Sequence, residues 1–138
     1  MTKEVSIKIT GKQKNGTEET EINNHTKGKF YNKQGTYYLR YQEEAKGLKG
    51  VNTTLKIEDN QVTLIRQGKV RTIQEFMPQT KTKFDYKTPY GRLELEIEVE
   101  ILNVNIGSRA GEINLKYQLY DKQGLIGTNW LNIVYKEE

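Results

Sequence analysis

Phe84, Asp85, Tyr86, Lys87, Thr88, Pro89, Tyr90 and Gly91, followed by Arg92, Leu93, Glu94, Leu95, Glu96, Ile97, Glu98, Val99, Glu100 and Ile101, decide the fold class. From Leu93 onward apolar and acidic residues alternate strictly. Leu93, Leu95, Ile97, Val99 and Ile101 fall on one face and Glu94, Glu96, Glu98 and Glu100 on the other, the period of two of a half-buried strand. The whole stretch reads as one extended, kinked strand of a closed or nearly closed all-β fold.

Outward from this segment the same texture recurs. Short alternating segments lie near 4–11, 17–24, 28–32, 36–43, 52–58, 61–67, 70–77, 80–90, 92–104, 112–121 and 125–136, some of them expected to merge. No long segment has the i, i+3, i+4 apolar spacing of an amphipathic helix. Turn residues separate the segments: Asn15 with Gly16, Asp59 with Asn60, Gly68, the run 107–111, and 121–124. Residues 43–50 read as a longer loop or a single helical turn. The 138 residues, 1–138, fit one domain. Many hairpin-linked strands in so small a chain suggest a barrel or a sandwich, and an antiparallel up-and-down barrel removes the sheet edges that invite aggregation.

Composition narrows function by exclusion. The hydrophobic set is only 34% even with nine tyrosines counted in it. An average soluble domain has roughly 45–50% by a count that includes Gly instead of Tyr, so the core is thin or partly polar. Cysteine is absent, which removes disulfides, thiolate metal sites and cysteine nucleophiles, and suits a cytoplasmic home. Met1 to Glu4 lead directly into the alternating Val5, Ile7 and Ile9, without the charged and apolar regions of a signal peptide, and no apolar run is long enough to span a bilayer. The net charge of +4 comes from 17 lysines and five arginines spread along the chain, not from a block, which disfavours nucleic acid as partner.

Three groups of residues resemble a family of uncharacterised bacterial proteins, the YwiB-like domain of unknown function. They are Tyr37, Tyr38, Leu39, Arg40 and Tyr41 after Gly35; Leu64, Ile65 and Arg66 before Gly68; and Tyr86, Lys87, Thr88, Pro89, Tyr90 and Gly91. Gly111, Glu112, Ile113, Leu115 and Tyr117 continue the resemblance, which covers nearly the whole chain. It implies a calycin or lipocalin-like barrel in the bacterial cytoplasm and no established activity. One departure is Met77, Pro78 and Gln79 after Phe76, where the resemblance implies a glycine-bearing turn.

Arg66 is the first candidate site residue. Val62 and Leu64 share its parity, so a guanidinium occupies a face that otherwise looks buried. It is either an anchor for the carboxylate or phosphate of a small molecule, or a residue at the barrel mouth bonded to backbone carbonyls or a neighbouring Glu. Tyr37 and Tyr41 share parity with Leu39, Tyr86 and Tyr90 with Phe84, and Tyr117 with Leu115. If those faces point inward, hydroxyl-bearing rings line a lumen near Arg66 and suit an anionic or amphipathic ligand; tyrosine is equally a strand former and core filler. Pro89 and Gly91 mark a corner or bulge, and the glutamate ladder a solvated face with lysine partners across the strands.

Catalytic signals are weak. His25 is the single histidine and sits in a polar stretch; Ser6 and Ser108 lie in no nucleophile motif; no metal-ligand set, cofactor motif or phosphate-binding glycine loop occurs. Trp130 opposes Leu131 and Ile133 in parity, which leaves it as a barrel floor or as an outer contact. The expected function is therefore a non-enzymatic barrel that holds a small ligand in its lumen. The alternative is a filled barrel serving a structural or protein-interaction role, with room for a homodimer.

Overall fold

The computed structural model describes residues 2–44 and 47–138. Ten strands follow in chain order: β1 (Thr2–Asn15), β2 (Glu18–Lys33), β3 (Thr36–Gln42), β4 (Asn52–Glu58), β5 (Gln61–Gln67), β6 (Arg71–Phe76), β7 (Lys81–Thr88), β8 (Gly91–Ile106), β9 (Ala110–Asp121) and β10 (Gly124–Glu137). Each pairs antiparallel with its neighbours in sequence, and β1 pairs with β10 from Val5↔Glu137 to Lys14↔Thr128. The result is a closed up-and-down barrel. No helix among the described residues is long and apolar enough to cross a membrane.

The expected segments at 17–24 and 28–32 are one strand, β2. Gly28 does not break it, because there the chain needs space instead of a turn: a Cβ on Gly28 would meet the Ile7 side chain at 2.5 Å. Of the expected loop at 43–50, Ala45 and Lys46 lie outside the described residues. Residues 47–50 form a turn, and Glu43 N–H donates to Val51 O at 2.8 Å.

The stretch 84–101 is not a single kinked strand. Pro89 and Tyr90 form a two-residue reversal between β7 and β8, with Thr88 opposite Gly91 and Gly91 at φ 139°, a conformation that glycine adopts readily. The parity argument stops at that turn, which leaves Tyr90 99% exposed. A second interruption lies farther on. The β8–β9 register shifts between Val99 and Ile101, so Leu102 takes the inward position opposite Leu115 and Ile101 is pushed out, 46% exposed. The sequence carries its trace, since apolar residues hold odd positions through Ile101 and even positions at Leu102, Val104 and Ile106.

Alternation fills the interior elsewhere. Val5, Ile7, Leu39, Leu55, Ile57, Val62, Ile97, Val99, Ile113 and Ile133 are almost fully buried. Phe30 stacks on Tyr135 at 4.5 Å and on Tyr37 at 5.5 Å. Phe76 of β6 meets Tyr117 of β9 at 5.0 Å, three strands away around the wall, so rings join across the lumen.

The departure at 77–79 has a structural counterpart. Gln79 takes the left-handed region at φ 54°, the role of the expected glycine, and its N–H donates to Val99 O at 3.1 Å. Two positions carry the β6–β7 ladder, Arg71↔Lys87 and Thr72↔Tyr86. Nearer the turn a side chain takes over: Thr82 Oγ1 donates to Glu75 O at 2.9 Å.

Gly111 and Tyr135 are direct partners across the β9–β10 ladder. The Tyr135 ring covers the glycine, and its hydroxyl donates to Gly107 O at 2.6 Å. A Cβ on Gly111 would lie 2.5 Å from ring atoms of Tyr135. Gly111→Ala is therefore expected to displace that ring and cost about 1–3 kcal/mol of stability, read as a lower urea midpoint at unchanged m-value.

Candidate functional site

Register brings five inward-facing residues into one row around half of the barrel: Tyr41 of β3, Thr53 of β4, Arg66 of β5, Thr72 of β6 and Tyr86 of β7. A residue just beyond β3 completes the group. Glu43 is 6% exposed and accepts from Thr53 Oγ1 at 2.5 Å and from Arg66 Nε at 3.4 Å. The side chain of Arg66 is 20% exposed. Of the two roles open to Arg66 in the sequence, the geometry matches pairing with a neighbouring Glu. Desolvation of the guanidinium is offset by a carboxylate that would be equally costly to bury alone.

The expected tyrosines separate into three groups. Tyr41 and Tyr86 share the Arg66 row, and Tyr117 approaches it from the opposite wall, close enough for the guanidinium charge to act on its hydroxyl. Tyr37 is paired with Ile57 toward the other end, stacked on Phe30, and does not join Arg66. Tyr90 is in solvent at the β7–β8 turn. Parity names the face of a strand but not the height along it, which is why Tyr37 could not be excluded from the sequence.

Burial raises the hydroxyl pKa of Tyr41 and Tyr117. The charge of Glu43 adds to the effect at Tyr41, and that of Arg66 offsets it at both. Tyr135 is pushed up to about 12, mainly by burial.

On the outside of the same strands is a cleft of about 520 Å³, lined by Ile65, Arg66, Gln67, Arg71, Thr72, Ile73, Asp85 and Lys87. Its apolar part is the cross-strand pair Ile65↔Ile73, with Ile73 60% exposed. Its cations are arranged unusually. Arg71 and Lys87 are direct ladder partners, and Lys87 is in turn opposite Arg92. Arg92 is compensated by Glu94 at 2.9 Å and Asp85 at 3.6 Å. Arg71 and Lys87 have no carboxylate within 4 Å among the described residues. Like charges directly opposite on a ladder are destabilising, so the pair is a local cost that a bound anion would relieve. Thr72 Oγ1, on the inward side of β6, is buried without a hydrogen-bond partner among the described residues. Sequence reasoning missed Arg71 and Lys87 because their pairing spans the 77–80 connection.

Other sequence candidates remain apart from this region. His25 is exposed on β2 opposite Lys8. The glutamate ladder faces outward, with Glu100 paired to Lys116 at 3.0 Å and Glu98 accepting from the Tyr120 hydroxyl at 3.1 Å. Among the described residues no cluster of three or more His, Cys, Asp or Glu is placed to hold a metal ion.

Residues 7–133 match the family model described as a domain of unknown function, DUF1934. The chain is 32% identical over 95 residues to the uncharacterized β-barrel protein YwiB of Bacillus subtilis (strain 168). That alignment spans 69% of this chain and 66%, just under two thirds, of the relative. The fold superposes on the crystal structure of the ywiB protein from Bacillus subtilis with a TM-score of 0.91 at 24% identity, covering 99% of this chain and 93% of that one. The likeness in structure carries the barrel topology.

Two outcomes follow from the buried groups. Arg66→Leu leaves Glu43 charged, buried and without its cation, and is expected to cost about 3 kcal/mol, the lower end for a broken buried pair because Arg66 is partly exposed. Adding Glu43→Gln, which keeps an acceptor for Thr53 and removes the charge, should restore most of the loss in chemical denaturation. The second outcome concerns alkali. Tyr41, Tyr117 and Tyr135 have folded pKa values above the roughly 10 of the unfolded chain. The contribution of each to stability is complete below pH 10 and is lost as pH rises through its own raised folded pKa, about 12 for Tyr135. Phenolate absorbance should therefore rise in two stages, the second coinciding with loss of the far-ultraviolet strand signal.

Proposed function

The chain belongs to the family described as a domain of unknown function, DUF1934, and from that premise we propose that its barrel binds a small amphipathic anion on the wall formed by β5, β6 and β7. The apolar body of the ligand lies on Ile65 and Ile73, and its carboxylate or phosphate bridges Arg71 and Lys87. The observation that carries this reading is the uncompensated like-charge pair Arg71↔Lys87 beside an apolar floor. The cleft volume of about 520 Å³ is within the range of small-molecule sites. Arg66 is a wall of this site and not its anchor, because Glu43 already neutralises it.

This moves the ligand of the calycin-like expectation from the lumen to the wall. The contact between Phe76 and Tyr117 supports the move, since it places two rings across the lumen where a ligand would have to compete with them. The same contact favours the competing reading, a filled barrel without a small molecule that presents its outer wall to a protein partner. On our reading the protein is a binder and not a catalyst. We set it in the cytoplasm, where a chain without cysteine is at home.

Thermal shift with decanoate and with phenyl phosphate tests the proposal. Both probes are expected to raise the melting temperature of the native protein, and Arg71→Ala combined with Lys87→Ala should abolish the rise while increasing the stability of the free protein slightly. A rise that persists in the double variant, or no response to either probe, refutes the site and favours the filled, ligand-free barrel.

A further inference from the structure

The opposite wall carries a second surface with different chemistry. On the outer face of β8, β9, β10, β1 and β2, register aligns Ile101, Lys116, Trp130, Lys12 and Glu21 in one row across the five strands. The adjacent row is Asn103, Asn114, Asn132, Thr10 and Asn23. Between them is a groove of about 570 Å³ that contains Trp130 and the amides of Asn103, Asn114 and Asn132.

Three properties of the groove define what fits it. The first is an aromatic platform: Trp130 is partly exposed, and the ammonium groups of Lys12 and Lys116 lie 5.7 and 5.4 Å from its ring centroid, which holds the indole between two arms on neighbouring strands. The second is the amide row. A carboxamide offers both donors and an acceptor, as a sugar hydroxyl does, and Asn132 Nδ2 is already oriented by Asn114 Oδ1 at 2.5 Å and Glu112 Oε2 at 2.7 Å. The third is charge balance. Lys12 is paired with Glu19 at 2.6 Å and Lys116 with Glu100 at 3.0 Å, so the cations beside the platform are already neutralised. A polyanion such as single-stranded nucleic acid would meet Glu19, Glu21 and Glu100 along with the lysines.

The backbone sets the end of the indole row. The bulge at Val99/Ile101 turns a residue of inward parity out of the core and sets it at the end of the Trp130 row. Bulges often re-aim side chains beside functional sites. Here the change of phase brings Leu102, Val104 and Ile106 onto the core and leaves Ile101 exposed beside the indole row.

We infer that this groove binds a neutral oligosaccharide. The C–H face of one sugar ring displaces one of the two ammonium groups from the Trp130 indole, with its neighbour against Ile101, and the hydroxyls along the ring edge donate to Asn132 Oδ1 and accept from Asn114 Nδ2. The displaced ammonium donates to a sugar hydroxyl while keeping its carboxylate partner, and the other keeps its place beside the indole.

Trp130 is the single tryptophan, so its emission reports occupancy without labels. Hexasaccharides of glucose in β-1,4, β-1,3 and α-1,4 linkage and of N-acetylglucosamine are the probes, with calorimetry in parallel. At least one should give a saturable emission change that is insensitive to salt. Trp130→Ala should weaken that binding by more than about tenfold, whereas Trp130→Tyr, which keeps a platform, and Asn132→Ala should each weaken it by less than about tenfold. Circular dichroism verifies that each variant retains the barrel, and the Arg71→Ala, Lys87→Ala protein should bind the sugar as the native protein does. The inference is overturned if none of the hexasaccharides binds, if Trp130→Ala binds unchanged, or if an oligothymidylate binds with strong salt dependence in place of the sugars.

Discussion

The ladder between β1 and β10 is the constraint on which the rest of the molecule depends. Ten consecutive pairs from Val5↔Glu137 to Lys14↔Thr128 join the two ends of the chain and leave the sheet without a free edge. Closure satisfies the backbone hydrogen bonds that two edge strands would expose. It also creates a sealed interior in which each side chain of inward parity must find a partner. With a hydrophobic set of only 34%, the chain cannot fill that interior with apolar residues alone. Rings complete it, Phe30 against Tyr135 and Phe76 against Tyr117, together with the hydrogen-bonded group of Glu43, Thr53 and Arg66.

The buried ion pair and the uncompensated surface pair show two opposite treatments of charge within a few residues. Arg66 is inside and matched, because an unpaired buried guanidinium would cost several kcal/mol. Arg71 and Lys87 are outside, where water and salt reduce the repulsion enough for it to be tolerated. A tolerated cost beside an apolar floor is the physical basis for assigning a ligand there. On the far wall the lysines next to Trp130 are matched by glutamates, and the chemistry on offer is that of amides and an indole. One barrel thus presents a cationic, apolar wall and a neutral, hydrogen-bonding wall.

Much of the architecture was legible because alternation is a local property. The inward positions of Val5, Ile7, Leu39, Leu55, Ile97 and Ile113 follow from a period of two and need no knowledge of neighbours. Asn15 with Gly16 and Asp59 with Asn60 marked reversals for the same reason. The misreadings have equally local causes. Ile101 kept perfect parity in sequence and lost it to an extra residue at a bulge; Tyr90 kept parity with Phe84 across what is in fact a turn; Tyr37 was on the right face at the wrong height. Glu43, the partner of Arg66, is 23 residues away in sequence and lies beyond the end of its strand, where alternation carries no information.

By itself the sequence determined that this chain is an antiparallel β protein with hairpin connections, a partly polar core and an arginine on an inward face, because strand period, turn chemistry and composition act over a few residues. Only the tertiary structure decided that Arg66 is spent on Glu43, that Arg71 stands opposite Lys87, and that Trp130 shares a row with Ile101. Those relations depend on register between strands, and register is set by closure of the whole barrel, a global condition to which every hairpin and bulge contributes.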